Sequence, residues 1–339
     1  MAGLTAAAEA RERGADVLHL EKGAQAGGAM LWSSGVIWRH ARWEDFRREC
    51  PGGDPALQRA VFDRLDGDLD WLERRGARVT APRTGNPRTT GRRFDPRSVV
   101  AALAGDIRLG EPLTRLPETA PVVLATGGFA GSRPLLRAHV TPYADDVLLR
   151  SPGLSTGDGL RLGLEAGASE SAGMDEIYGR AMPAAPLRRE RWITDAQLYA
   201  RVAEVRDERG ERHDAATWSE IDVVQWIARR PGARAWFTVP AGALGERTPY
   251  GTVAEQVARA RAAGATVRDE PDGAVSVHVA AGVTTTLGGL AVDRAGRVAD
   301  AVWAAGADAG GISTGGYASG LAAALVCGRV AAAAALGAS

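Results

Sequence analysis

Three places in this chain of 339 residues join an apolar run or a helix to glycines: around Gly3, at Gly127–Gly128, and from Gly306 to Gly320. In a parallel α/β sheet, ligands bind in the crevice at the carboxyl ends of the strands. Glycine there lets backbone N–H groups approach a pyrophosphate, and a following helix turns its positive end toward that charge. Glu21 stands eighteen residues past Gly3, at the tip of the apolar run "ADVLHLEKG", a spacing suited to binding the hydroxyl pair of a ribose. Any one of these glycines is equally well explained as a turn or as tight helix–strand packing. All three in this order point to a dinucleotide.

The flanking elements agree. Residues 3–13 read as a helix ended by Gly14, and 55–75 as an amphipathic helix with Leu57, Val61, Phe62, Leu65, Leu69 and Leu72 on one face. "AQAGGAMLWSSGVIW" reads as a loop with close backbone approaches. "APVVLATGGFAG" reads as a buried strand, "STGDGLRLGLEAGA" as a turn and helix, and "VSVHVAAGVTTTLGGLAVD" as strands joined by a glycine turn. The chain ends in a glycine-rich loop and a long alanine-rich helix. Residues 171–275 change character, with Trp192, Trp218, Trp226 and Trp236 and more charge, and read as a separate lobe whose core these tryptophans form.

Bulk properties exclude several classes. Lys+Arg and Asp+Glu both number 41, so no net field draws in nucleic acid or an anionic membrane. Lys22 is the sole lysine. Cys50 and Cys327 suggest no disulfide framework, and with the five histidines they form no metal-ligand spacing. A reduced, cytoplasmic setting fits, with no apolar run of the ~20 residues that span a bilayer; "LAAALVCGRVAAAAALG" is interrupted by Arg329.

The segments "AGLTAAAEARERGADVLHLEKG", "GGAMLWSSGVIW", "VVLATGGFAG", "STGDGLRLGLEAGA", "TTTLGGLAVD" and "VWAAGADAGG…GGYASGLAAALVCGRVAA" resemble the succinate dehydrogenase/fumarate reductase flavoprotein family, including its 3-ketosteroid and tricarballylate dehydrogenase branch. The resemblance covers about two-thirds of the chain. It implies an α/β fold: a Rossmann-like FAD-binding domain with an inserted α+β capping domain. The FAD-binding domain would comprise residues 1–170 and 276–339, and the cap 171–275.

Carried over position by position, the resemblance implies a cofactor site. Ala2 and Gly3 end the phosphate loop, and Glu21 binds the adenosine ribose with Lys22 beside it. Gly27, Gly28, Ser33, Ser34 and Gly35 line the pyrophosphate and flavin. Ala125, Thr126 and Gly127 wrap the cofactor, Asp158 anchors near it, and Asp308 stands where the family usually has Glu, against the ribityl or phosphate region. Gly320, Leu321 and Ala322 cap the isoalloxazine, so that the last helix stabilises negative charge on reduced flavin.

The resemblance also bears on the reaction. Fumarate-reducing members place His and Arg where this chain has Thr285, Ser313 and Tyr317. A neutral phenol cannot clamp a carboxylate as a guanidinium does, which argues against fumarate or succinate. Tyr317 is similar to the tyrosine that, with a glycine N–H here matched by Gly320, hydrogen-bonds a ketone in the ketosteroid enzymes. A second tyrosine there removes the α proton while hydride leaves the β carbon for flavin N5. Tyr178, Tyr199 and Tyr250 are candidates for that role, and His278 is placed in a strand approaching the flavin. The expected activity is α,β-dehydrogenation or ene-reduction of an apolar carbonyl compound, with FAD held non-covalently, a small-molecule substrate and a further electron acceptor or donor.

The family begins with a strand and G-x-G-x-x-G, whereas here Met1 directly precedes "AGL". The chain is therefore expected to be truncated at its N-terminus and to lack the first strand, leaving two neighbouring strands with unpaired edges. Two alternatives stand beside the enzyme reading: a non-catalytic paralogue with weak or no FAD binding, and a nicotinamide enzyme, against which "ATGG" and "GDG" argue.

Overall fold

The protein was analysed as a computed structural model, which describes residues 1–337. In chain order the elements are α1 (Ala2–Glu12), β1 (Leu20–Glu21), β2 (Val36–His40), α2 (Trp43–Glu49), α3 (Pro55–Arg74), β3 (Val79–Ala81), β4 (Thr89–Phe94), α4 (Pro96–Leu103), β5 (Arg108–Leu109) and β6 (Val122–Leu124). There follow α5 (Arg133–His139), β7 (Leu148–Leu149), α6 (Asp158–Glu165), β8 (Ile177–Pro183), β9 (Glu204–Arg206), β10 (Arg212–His213), α7 (Ile221–Ala228) and β11 (Arg234–Val239). The last are β12 (Arg247–Thr248), β13 (Gly251–Thr252), α8 (Val253–Ala262), β14 (Val267–Asp269), β15 (Val275–Thr286), β16 (Arg297–Ala299), β17 (Val302–Ala304) and α9 (Gly320–Ala335).

Two compact units result. The first comprises Met1–Gly131, Pro152–Glu176 and the residues from Thr286 onward; the second comprises Ser132–Ser151 and Ile177–Thr285. The sequence reading began the inserted lobe at 171 and ended it at 275. The second unit instead starts at Ile177, runs through Thr285 and takes in α5 and β7 as well. Two contacts account for the extension: β7 pairs in parallel with β15 at Gly282 and Val283, and Thr141 Oγ1 donates to Ala228 O.

The first unit is α/β and Rossmann-like. Its parallel strands are short and fall in two ladders, β1–β5 and β16–β17–β6, beside an antiparallel β2–β4–β3 sheet. Among the described residues β1 pairs only with β5 and β6 only with β17, so each carries one bonded edge. Helix α1 packs along α9 by close backbone approach. A Cβ on Gly328 would lie 2.2 Å from Thr5 Oγ1 and 2.7 Å from Ala2 O. Thr5 Oγ1 donates toward Ala2 O (2.9 Å) and Ala324 O (3.2 Å). The charge of Arg329 in this alanine-rich helix is taken up by Glu9 of α1 (2.7 Å) and Asp68 of α3. Burial holds the Asp68 carboxyl above the usual carboxylate range, while Arg329 pulls the other way.

Helix α3 forms as its sequence requires. Asp54 caps it, accepting from Ala56 N (2.7 Å) and Leu57 N (3.0 Å), and Pro55 takes the first position. Its Leu57, Val61, Leu65, Leu69 and Leu72 are buried, with Ile37, Phe46, Phe94 and Leu325 in the same cluster. Phe62 stays half-buried beneath Arg39, 4.5 Å from its ring centroid.

The second unit is built on the sheet β10-β9-β11-β15-β14, with β7 and β8 also pairing with β15. Strand β15 continues unbroken through Gly282, where a Cβ would lie 2.5 Å from Met182 Cγ and 2.6 Å from Arg150 Cδ, and where Gly179 passes so close that its own Cβ would fall 2.1 Å from Gly282 O. The core is aliphatic around Phe237, Val277, Val279, Val224 and Ile227. The four tryptophans are half-buried and lie outside it. Trp236 is stacked between His278 (4.6 Å) and the Arg268 guanidinium (4.0 Å), and Trp226 between His213 (5.1 Å) and Arg230 (4.6 Å).

Candidate cofactor site

The first unit brings four strand and helix ends to one place by hydrogen bonds. Asp308 lies in the single helical turn after β17 and is 1% exposed. Its Oδ1 accepts from Thr126 Oγ1 (3.0 Å) and Gly128 N (2.9 Å), and its Oδ2 accepts from Thr126 N. Thr126 Oγ1 in turn accepts from Gly159 N (2.9 Å) at the start of α6, and Gly128 O accepts from Gly157 N (3.0 Å). Beside them Lys22, just past β1, donates to Thr156 Oγ1 (2.7 Å) and Asp158 Oδ2 (2.6 Å). The ends of β17, β6 and β1 and the head of α6 thus form one connected region.

Local geometry explains the residue types. Gly127 and Gly128 take φ of +99° and +75°, which side-chain-bearing residues rarely adopt, so the chain can reverse directly after β6 and aim its N–H groups at Asp308. Burial pushes the Asp308 carboxyl up, and the hydrogen bonds from Gly128 and Thr126 oppose that rise. Thr126 is exposed while Asp308 is enclosed. The head of α1 also lies here: a Cβ on Gly3 would stand 3.4 Å from His19 Nε2 and 3.5 Å from Ala125 Cβ. Ala2 approaches Gly306, whose added Cβ would lie 2.9 Å from Ala2 Cβ. Burial pushes the His19 imidazole down to about 4, so it is neutral at physiological pH, and its Nδ1 is buried without a partner among the described residues. Glu21 uses Oε1 to accept from Gly23 N (2.7 Å).

The other expected positions fall elsewhere in the unit. Gly27 packs against α4, where a Cβ would meet Val100 and Leu31 at 2.8 Å; Gly35 packs on β4, 2.1 Å from Phe94 O by the same measure. Ser33 Oγ is engaged locally, donating to Met30 O (2.7 Å) and accepting from Gly35 N (3.1 Å). Gly28 has nothing within 4 Å of an added Cβ, and Ser34 is exposed. At α9, Gly320 is exposed and also open, Leu321 is half-buried, and Ala322 is enclosed with its N–H capped by Ser319 Oγ (3.3 Å).

Tyr317 is half-buried just ahead of α9, its ring 5.1 Å from that of Trp38. His40 Nε2 donates to the Tyr317 carbonyl (3.1 Å), and His40 stacks on Phe46 at 5.2 Å. Burial holds the His40 imidazole below its ordinary range. Trp38 and His40 have no assigned role in the sequence reading, because the segment read as a loop runs to Trp38 and so hides the start of β2. Thr156, missed as the partner of Lys22, stands in the open within "STGDG".

Two residues of the second unit, Tyr199 and His278, are engaged within that unit. Tyr199 is 2% exposed, donates its hydroxyl to Gln197 Oε1 (2.8 Å), and has its pKa raised by burial, which unfits it as a base. His278 sits within the second unit on β15, 2.6 Å from Glu208 and stacked on Trp236, a structural sandwich. Tyr178 carries the Arg180 guanidinium 5.1 Å from its ring centroid, and Tyr250 is half-buried beside α8.

Among the described residues no helix is long and apolar enough to cross a membrane. No curated protein matches the chain. Solved structures of similar fold include the open conformation of a flavocytochrome c3 fumarate reductase, with a TM-score of 0.71 and 20% identity over 98% of this chain and 76% of that one. A 3-ketosteroid-Δ4-(5α)-dehydrogenase from Rhodococcus jostii RHA1 aligns with a TM-score of 0.72 and 18% identity over 98% and 94%. A 3-ketosteroid Δ1-dehydrogenase from Sterolibacterium denitrificans aligns with a TM-score of 0.70 and 16% identity over 100% and 98%. The profile of the FAD binding domain family matches residues 1–108 and 95–322.

The residues present fit that cofactor. The head of α9 is open at Gly320, and Thr126 and Gly127 present backbone beside the head of α6. Glu21 retains Oε2 beyond its bond to Gly23, and Gly28 is clear of side chains. With its strand ends joined by hydrogen bonds at one place and its sequence matched over residues 1–108 and 95–322, the chain belongs to the FAD binding domain family, and FAD is its cofactor.

Proposed function

We propose that the chain is an FAD-dependent oxidoreductase that performs α,β-dehydrogenation, or the reverse ene-reduction, of an apolar carbonyl compound. The observation that carries this reading is Tyr317 at the head of α9, braced by Trp38 and by the bond from His40 to its carbonyl. A phenol O–H beside a helix N-terminus stabilises negative charge growing on a carbonyl oxygen, which makes the neighbouring C–H more acidic. Arginine at that position would favour a carboxylate; tyrosine does not. Bound FAD supplies the two-electron hydride chemistry. The similarity to two ketosteroid dehydrogenases supports the substrate class.

In this reading Ala2 and Gly3 face the diphosphate, Glu21 the ribose, and Ala125, Thr126, Gly127 and Asp158 the body of the cofactor, with Lys22 holding Asp158 in place. Gly28, Ser34, Gly320 and Leu321 lie on the flavin side. Gly27, Ser33, Gly35 and Ala322 support the backbone around it. The partners are a small-molecule substrate and an electron acceptor or donor. One observation favours a second reading, a non-catalytic protein of the same fold that binds FAD weakly: β1 and β6 are each bonded on a single edge.

The visible spectrum of the purified protein separates the two. Flavin absorbance, intrinsic or gained on adding FAD, supports the enzyme; a protein that stays colourless supports the second reading. With flavin bound, Tyr317→Phe is expected to slow turnover of an enone or ketone by ~10²-fold or more with the spectrum intact. Unchanged turnover removes Tyr317 from the chemistry.

A further inference from the structure

A carboxylate enclosed in protein is costly unless hydrogen bonds satisfy it. Asp308 is such a group: 1% exposed, with three donors on its two oxygens. All three donors belong to the turn after β6. At 1% exposure it presents almost no surface to a ligand, whereas Thr126, which supplies two of the donors, is exposed. The Thr126 hydroxyl then passes the constraint on, since giving its proton to Asp308 Oδ1 leaves its lone pair for Gly159 N (2.9 Å). One carboxylate therefore fixes both the 126–128 turn and the first turn of α6.

We propose that Asp308 is a positioning residue for the cofactor site, acting through Thr126 to hold the 126–128 turn and the head of α6 as one wall against FAD without touching FAD itself. The proposal rests on FAD occupying the first unit. Asparagine at 308 would set an amide N–H₂ against a donor N–H, and valine at 126 would remove the hydroxyl link while keeping the side-chain shape.

The test is a titration of the apoprotein with FAD, followed by quenching of flavin fluorescence, for wild type, Asp308→Asn, Thr126→Val, Thr126→Ser and the double variant Asp308→Asn/Thr126→Val. Each of Asp308→Asn and Thr126→Val is expected to weaken FAD binding about tenfold or more, the equivalent of one buried hydrogen bond. The double variant should be about as weak as the weaker single one, because both break one linkage. Thr126→Ser, which keeps the hydroxyl link, should keep wild-type affinity. Wild-type affinity in Thr126→Val, or a double variant whose loss is the product of the two single losses, overturns the proposal. If Asp308→Asn does not fold, the contrast between Thr126→Val and Thr126→Ser decides. A wild-type protein that binds no FAD overturns the cofactor reading itself, and this proposal with it.

Discussion

The two units use strands in opposite ways. In the first, β1, β6 and β17 are two or three residues long and are joined at their tips by Lys22, Thr126 and Asp308. In the second, β15 runs twelve residues and pairs with β11 over six consecutive positions, Arg234↔Ala280 to Val239↔Val275. A ladder consumes the backbone N–H groups that a ligand would need. The first unit ends its ladders early and secures the tips with side-chain bonds, whereas the second commits its backbone to the sheet and its apolar side chains to a core. Their buried acids differ in the same sense. Asp308 organises a turn, while Glu220 sits at the head of α7 with a positive φ of 55°, beside Arg180, which donates to Ser219 O.

The largest expected effect is on the second unit's core. Phe237 is fully buried, and Phe237→Ala should cost about 3–5 kcal/mol in urea unfolding. A loss under ~1 kcal/mol would mean the sheet is not held by its core, and the contrast would collapse.

Next is Glu220. Burial raises its carboxyl from 4.5 to about 7. Because the folded value lies above the unfolded one, folding takes up a proton between them, and stability should fall as pH rises from about 4.5 through about 7 and then level off. Glu220→Gln keeps an acceptor for Arg201 N and has no charge to bury. It should flatten that dependence and raise stability above pH 7 by roughly 3 kcal/mol at most. An unchanged pH profile of thermal melting would show that Glu220 does not titrate this way.

Two glycines sharpen the comparison further. A Cβ at Gly159 would meet Asp308 Oδ2 at 2.5 Å and Thr126 Oγ1 at 2.8 Å, so Gly159→Ala should weaken FAD binding by about 1–3 kcal/mol in a fluorescence titration. Gly67, exposed within α3, has nothing within 4 Å of an added Cβ, and Gly67→Ala should stabilise by about 0.5–1 kcal/mol with FAD affinity unchanged. Equal effects at the two sites would mean the network around Asp308 is no tighter than a helix surface.

Much of the first unit was legible because its signals are local. Asp54-Pro55 opens α3 on the page, the spacing of Leu57, Val61, Leu65, Leu69 and Leu72 gives its buried face, and glycines mark each strand end. The second unit read less well. Its tryptophans suggested a core, yet the Trp236 stack depends on an arginine and a histidine brought from other strands, Arg268 and His278. The place of α5 and β7 beside β15 was likewise invisible, because a two-residue strand has no pattern of its own.

The sequence by itself determined the order of glycine-bounded strands, the acid at position 21 and the phenol at position 317, since backbone freedom and side-chain chemistry belong to single residues. Tertiary structure alone decided that Asp308 is spent on Thr126 and Gly128, that Lys22 is spent on Asp158, and that Tyr199 and His278 are structural. Each of those outcomes depends on which distant group arrives first within hydrogen-bonding distance, and chain spacing carries no record of it.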